Sequence, residues 1–189
     1  RGDGEVVSII SVDTDPIERR TIRVYTRSGT LDSVSEPVDG LIGLVSWRPS
    51  GNLIAAVQRR DESNESPQIV FFERNGLRRG EFSLRISPVE NVTGIAWNSD
   101  SDCLAVSLSD RVQLWTTKNY HWFLKQEITT GLTPTKLTWH PEKSHTLLTT
   151  FDNGSIHICE FQWDITRGTT APPADIGLVA VIDGQNINL

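Results

Sequence analysis

The sequence predicts an all-β chain built from one repeated unit, and three observations carry that prediction. A short apolar approach ending in Trp, a polar turn and an apolar run recur three times. They read LVSW–RPSGN–LIAAVQ at 44–58, GIAW–NSDSD–CLAVSL at 94–108 and KLTW–HPEKSH–TLLTTF at 136–151. Each copy is followed by a second strand-like run: QIVFFER at 68–74, RVQLWTT at 111–117 and SIHICEF at 155–161. Trp47, Trp97 and Trp139 are spaced 50 and 42 residues apart. A period of roughly 40–45 residues with four short strands per unit is that of a WD40-type β-propeller. The 189 residues then supply about four blades, so a partial propeller with further blades on either side is expected. The expected divisions are a partial blade over 1–40, blades over 41–90 and 91–133, and a last stretch, 134–189, that runs into the next blade.

The elements follow in order. VVSIISV at 6–12 and TIRVYTR at 21–27 predict a hairpin, with the charged linker DTDPIERR containing Pro16 as a surface loop. LDSVSEPV at 31–38 predicts an outer strand, where Pro37 is tolerable because an outermost strand need not donate every amide. The polar loop RRDESNESP at 59–67 accounts for the longer first interval, since surface loops accept insertions cheaply. Asn75-Gly76 predicts a tight turn into a further outer strand, LRRGEFSLR. RVQLW resembles the WD40 strand that ends in Trp-Asp, with Thr116 in place of the Asp after Trp115. NYHWFLKQEI follows, with three aromatics in four residues. Asp152-Asn153-Gly154 predicts a hairpin turn, RGTTAPPADIG at 167–177 a loop, and VAVIDGQNINL a new strand run. No helical periodicity stands out.

Trp47, Trp97, Trp115 and Trp139 are predicted to be structural. A large ring before each polar turn can wedge between neighbouring blades, its N–H reaching a backbone acceptor at the rim.

Composition is that of an ordinary globular protein, with 37% hydrophobic residues. The net charge of −6 argues against wholesale nucleic-acid binding, which usually needs a basic surface. No apolar run approaches the 18 residues of a membrane span. Cys103 and Cys159 sit in apolar strands of different repeats and read as buried reduced thiols. Low cysteine use fits a reducing compartment, and a cytoplasmic location, with the nucleus as a second, is expected.

No residue is nominated as catalytic, cofactor-binding or metal-ligating. His140 and His145 flank a turn, and a zinc site needs further ligands at defined spacing. His157 and Cys159 share one strand face, which is ordinarily a packing surface. The G-x-S-x-G elbow, the P-loop and the dinucleotide glycine pattern do not occur. Asp100 and Asp102 sit in a turn, where Asp stabilises tight bends. The one local concentration of positive charge is Arg74, Arg78 and Arg79, with Arg59 and Arg60 a loop away. It is a candidate contact surface for phosphate or an acidic partner, set against a solvated strand edge.

Several blocks resemble a known family. SEPVDGLIGLVSWRPSGNLIA, IVFFERNGLRRGEF, LAVSLSDRVQLWTTKNYHWFLKQE, LTWHPEK and VAVIDG, in this order, are similar to the N-terminal propeller region of the largest, scaffolding subunit of the Elongator complex, in its fungal form. RGDGE fits that family's Trp-Arg-x-Asp-Gly turn without its Trp. The resemblance implies two tandem propellers, then a helical-repeat arm and a dimerising C-terminal part beyond this segment. It implies a non-catalytic role in modifying the wobble uridine of tRNA, with the other Elongator subunits as partners, no membrane and no cofactor. It leaves open whether this segment touches tRNA. The alternatives are a propeller scaffold of a coat, pore or trafficking assembly, and a propeller enzyme or small-molecule binder. The FFERNG and NYHW blocks speak against another scaffold. An enzyme would need a repeated set of funnel-directed Asp, Glu, His or Arg.

Overall fold

A computed structural model describes residues 4–13, 19–60, 65–118, 120–163, 166–167, 179–183 and 186–188. Among them every regular element is a strand. The first sheet holds β1 (Val6–Asp13), β2 (Arg19–Thr26) and β3 (Leu31–Val34). The second holds β4 (Leu41–Trp47), β5 (Leu53–Gln58), β6 (Gln68–Glu73) and β7 (Arg78–Ser83). The third holds β8 (Gly94–Trp97), β9 (Cys103–Ser107), β10 (Arg111–Lys118) and β11 (His121–Thr129). The fourth holds β12 (Pro134–Trp139), β13 (Thr146–Phe151) and β14 (Ile156–Glu160). A small fifth sheet holds β15 (Thr166–Arg167), β16 (Val179–Asp183) and β17 (Asn186–Asn188). Each is an antiparallel meander in chain order.

The period-2 geometry of a strand explains how the sheets stack. Successive side chains point to opposite faces, so a strand buried on both faces reads as a continuous apolar run. Ile54 and Ala56 of β5, with Val70 and Phe72 of β6, face the first sheet and join Val6, Ile22 and Val24 in one core. Their neighbours Ala55, Val57, Ile69 and Phe71 face the other way and join Leu104 and Val106 of β9 in a second core. Cys103 and Ala105 then join Leu137, Trp139 and Leu147 in a third. Sheets one to four therefore stack face to face as consecutive blades, with apolar cores at each junction. This is a β-propeller arc.

The outer ends of the arc carry apolar side chains in solvent. Val7 and Leu31 flank Tyr25, and Ile9 and Val34 flank Arg23, across the first sheet. All four aliphatic residues are exposed, as are Ile156 and Ile158 on β14.

Two expectations are corrected. The outer strand expected over 31–38 stops at Val34. Pro37 has no N–H to continue the ladder, and the Ser35 hydroxyl accepts the Ile22 N–H at 2.9 Å in its place. The chain returns only as an isolated bridge between Val38 and Arg20. The four strands expected per unit are found in the second and third sheets; among the described residues the fourth has three, as does the first, which was expected to be a partial blade. The opening Arg-Gly-Asp, the linker around Pro16, the middle of the 59–67 loop and the stretch 168–178 lie outside the described residues.

Candidate docking surface

The tryptophans set the walls of the junctions. Trp47 packs in the first core, Trp97 in the second and Trp139 in the third, each against the sheet that precedes its own. The Trp139 indole N–H donates to the Ala96 carbonyl at 2.9 Å, across the junction. The indole N–H groups of Trp47 and Trp97 are buried without a partner among the described residues, so the expected rim acceptor is found for Trp139 and not for these two. Trp115 is almost fully buried and donates to Gln113 Oε1 at 3.0 Å.

Gln113 passes that contact outward. Its Nε2 donates to Glu127 at 2.7 Å, and Glu127 also takes Arg111 Nε at 3.2 Å. Arg111 further reaches Glu90 at 2.5 Å and Asp110 at 2.7 Å. Burial works against its charge, but the hydrogen bonds it donates to Glu90 and Asp110, with the charges of both carboxylates, raise its pKa overall. One half-buried guanidinium thus ties β10 and β11 to the segment between the second and third sheets.

The outer rim of that second junction is closed by rings. Trp122 stacks on Phe71 at 5.0 Å and 13°, and on Phe82 at 4.8 Å and 18°. Trp97 and Trp115 complete the cluster. The FFERNG and NYHW blocks singled out in the sequence are therefore packing partners of one another.

The first junction differs. Between β3 and the β4–β5 and β6–β7 turns lies a cleft of about 680 Å³, lined among others by Asp32, Arg48, Glu73, Arg74 and Arg79. Gly76, next to the lining residue Asn75, packs closely on β3 beside the cleft. Its φ of +88° suits the Asn75-Gly76 turn, and a Cβ there would stand 2.4 Å from the Val34 carbonyl oxygen. Ser33 Oγ donates to the Arg74 carbonyl across the same seam.

The predicted basic residues separate. Arg74 grips Asp32 with two bonds, Nε to Oδ2 at 2.8 Å and Nη2 to Oδ1 at 3.3 Å. That hydrogen bond holds the Asp32 carboxyl below its ordinary range, against a smaller opposing effect of burial. Arg79, 64% exposed, pairs with Glu73 at 2.7 Å. Arg78 turns instead to Glu81 at 2.5 Å and to Gln58 at 3.1 Å. The structure brings Arg74 and Arg79 together in the cleft and leaves Arg78 beside it. Of the more distant pair, Arg59 donates to Asn91, and Arg60 lies 3.7 Å from Glu65.

Sequence reasoning missed Arg48. It follows Trp47 directly, where the other repeats carry Asn98 and His140. That break in the repeat was the available signal. Arg48 Nε donates to the Ser101 carbonyl at 2.9 Å, and its guanidinium lies 5.3 Å from the Trp97 ring centre. It makes no ion pair among the described residues.

The histidines and cysteines have separate structural surroundings. His140 Nδ1 accepts the backbone N–H groups of Glu142 and Lys143, a turn-forming role. His145 packs edge-on against Trp163, and His157 against Phe151. Burial, with a contribution from Asp102, pushes the Cys103 thiol up to about 12. No group of three or more His, Cys, Asp or Glu is arranged to hold a metal among the described residues.

Comparison with known proteins fits this architecture. A family profile described as the ELP1 first N-terminal beta-propeller matches residues 1–142. Elongator complex protein 1 of Saccharomyces cerevisiae is 45% identical over 200 residues, covering 100% of this chain and 15% of that protein. Elongator complex protein 1 of Schizosaccharomyces pombe is 48% identical over 189 residues, covering 99% of this chain and 14% of that protein. The chain thus spans about 15% of the length of the curated relatives it matches. Among solved structures, the beta-propeller domain of Myceliophteria thermophila Cps50 (Swd1) superposes with a TM-score of 0.54 at 12% identity, over 84% of this chain and 49% of that one. The chain belongs to the ELP1 first N-terminal beta-propeller family.

Proposed function

We propose that this chain is part of a docking propeller of the Elongator complex, holding other subunits while the assembly modifies the wobble uridine of tRNA. The observation that carries the proposal is the alignment of relatives named Elongator complex protein 1 along the whole chain. The fold supports it: face-to-face sheets with three apolar cores make a rigid platform whose rims are free to vary. In this reading the chain is a non-catalytic scaffold and works in the cytoplasm, with the nucleus as a second site. Its partners are the other Elongator subunits, and the full-length protein pairs with itself through a region outside this segment. The contact surface is the rim carrying Arg74, Arg78 and Arg79.

Reversing Arg78 and Arg79 to Glu in the full-length protein tests this. Both side chains lie at the surface, so the variant should fold; each reversal also sets a Glu beside Glu81 or Glu73, and a thermal melt accompanies the assay. The variant should lose co-purifying subunits and wobble-uridine modification in cells. Unchanged assembly and modification would place the contact elsewhere.

A further inference from the structure

We propose that the outward face of the first sheet is a blade junction of the whole protein, covered by a further sheet of the same polypeptide that brings a carboxylate to Arg23. The proposal is independent of the docking reading, since it concerns a contact within one chain.

Period 2 divides β2 between two faces. Ile22 and Val24 point into the first junction. Arg23 therefore points away from it, and its cross-strand neighbours are Ile9 on β1 and Val34 on β3. Tyr25 lies on the same face, between Val7 and Leu31. These four aliphatic residues are between 42% and 56% exposed. Arg23 Nε, by contrast, is shut off from solvent, and no group among the described residues accepts from it. Of the other ionisable side chains of β2, Arg19 and Tyr25 share this face by the same alternation, and neither can neutralise a guanidinium.

An arginine stays charged, and a buried guanidinium without a counter-ion is strongly destabilising. Whatever covers this face must be apolar where it meets Val7, Ile9, Leu31 and Val34, and anionic where it meets Arg23. At the first junction both features come from a neighbouring sheet of the same chain. The aliphatic side chains of β5 and β6 meet those of β1 and β2 there. Across the same seam Arg74, at the end of β6, takes the Asp32 carboxylate of β3. There is chain enough to supply another such sheet: the arc superposes on 49% of the Cps50 propeller domain, and the relatives extend well beyond it.

The covering sheet is tested without any variant. Hydroxyl-radical footprinting of the purified full-length protein, read by mass spectrometry, compares Leu31 with Leu77 and Val7 with Val89. Leu77 is 56% exposed in the β6–β7 turn, and Val89 is 78% exposed between β7 and β8. Leu31 and Val7 should be labelled at least tenfold less than these controls. Labelling at the controls' level would overturn the proposal, and so would protection that arises only when the other subunits are added. The carboxylate is tested with Arg23→Met and the conservative Arg23→Lys, through the urea midpoint of β1 and β2 read by pulsed hydrogen exchange. Arg23→Met should lower the midpoint near neutral pH by at least about 0.5 M, and Arg23→Lys should keep at least half of what Met loses. A carboxylate left unpaired takes up a proton in acid, so the difference between wild type and Arg23→Met should narrow as pH falls from about 7 to about 5. Arg23→Gln carries the same comparison if Arg23→Met fails to fold. A difference that ignores pH, or an uncharged variant as stable as wild type, would overturn the ion pair.

Discussion

The junction between the second and third sheets and the junction between the first and second bury similar aliphatic cores, yet they end differently at the outer rim. The former is sealed by Phe71, Phe82, Trp97, Trp115 and Trp122. The latter opens into a charged cleft. The outer strands account for the difference. β11 has nine residues and carries Trp122 over the junction, with Phe82 of β7 meeting it. β3 has four residues and ends at Val34, so Asp32 and Ser33, not rings, face the neighbouring sheet. A long outer strand with an aromatic closes a blade junction, and a short polar one leaves it open to solvent.

Breaking the sealed junction should have the largest effect. Trp97 is 6% exposed and touches Phe71 and Trp122. Trp97→Ala should cost about 3–5 kcal/mol, the usual range for deleting a buried aromatic. The check is the urea midpoint of this region in the full-length protein. Trp97→Phe should recover part of the loss, because a ring still fills the space and the partnerless indole N–H disappears. A loss under about 1 kcal/mol for Trp97→Ala would mean that the cluster collapses to refill the space.

The open junction should be most sensitive where the β6–β7 turn presses closest on β3. Gly76→Ala would force a left-handed φ on an L-residue and press its Cβ against the Val34 carbonyl. A cost of about 1–3 kcal/mol is expected from such backbone strain, with a change in protease sensitivity at the β6–β7 turn. Gly51, also at positive φ, has open space around it and supplies the control: Gly51→Ala should cost less.

The third junction extends the comparison to chemistry. Cys103 is buried in it and its thiol is pushed up to about 12, while Cys159 is half-buried. Iodoacetamide near neutral pH should alkylate Cys159 first and Cys103 only on unfolding, as mass spectrometry would show. The folded thiol stays neutral where the unfolded one, near 9.0, ionises. Stability should therefore fall as pH rises above about 9, and Cys103→Ser should flatten that fall.

The blades were legible in the sequence because packing imposes period 2 within a strand and a repeat of the Trp-turn-strand unit between sheets. LIAAVQ, QIVFFE and CLAVS are apolar without a break because both faces are buried, and the structure finds β5, β6 and β9 there. The end of β3 was less legible. Pro37 is tolerable in an outer strand, but two residues earlier the Ile22 N–H already turns from the backbone to the Ser35 hydroxyl, while the Ser35 N–H makes the last bond to Ile22. The cleft was half legible. Arg74, Arg78 and Arg79 stand out as a local run of charge, but the carboxylate partners of Arg74 and Arg79 come from another sheet and from across a turn, while Arg78 pairs with Glu81 on its own strand. Asp32 lies 42 residues from Arg74, and Arg48 meets Ser101 across 53. A linear reading detects charge and loses its cancellation, which only the stacking of sheets creates.

The smallest expected effect concerns Asp32, and it separates the two junctions by mechanism. Arg74 holds the folded carboxyl below its ordinary value of 3.8. A carboxyl depressed in the folded state contributes stability above its unfolded pKa, and the contribution disappears as pH falls through the folded pKa. The midpoint gap between wild type and Asp32→Asn should be constant above about pH 5 and should close in more acid solution. The pair lies at the surface, so salt near 1 M should also shrink the gap, the screening length there being about 3 Å. Trp97→Ala should show neither dependence, because dispersion and burial of rings do not titrate. An Asp32→Asn gap that ignored both pH and salt would mean that the cleft wall is held by the Ser33 and Gly76 contacts, and that its ion pair follows the architecture without shaping it.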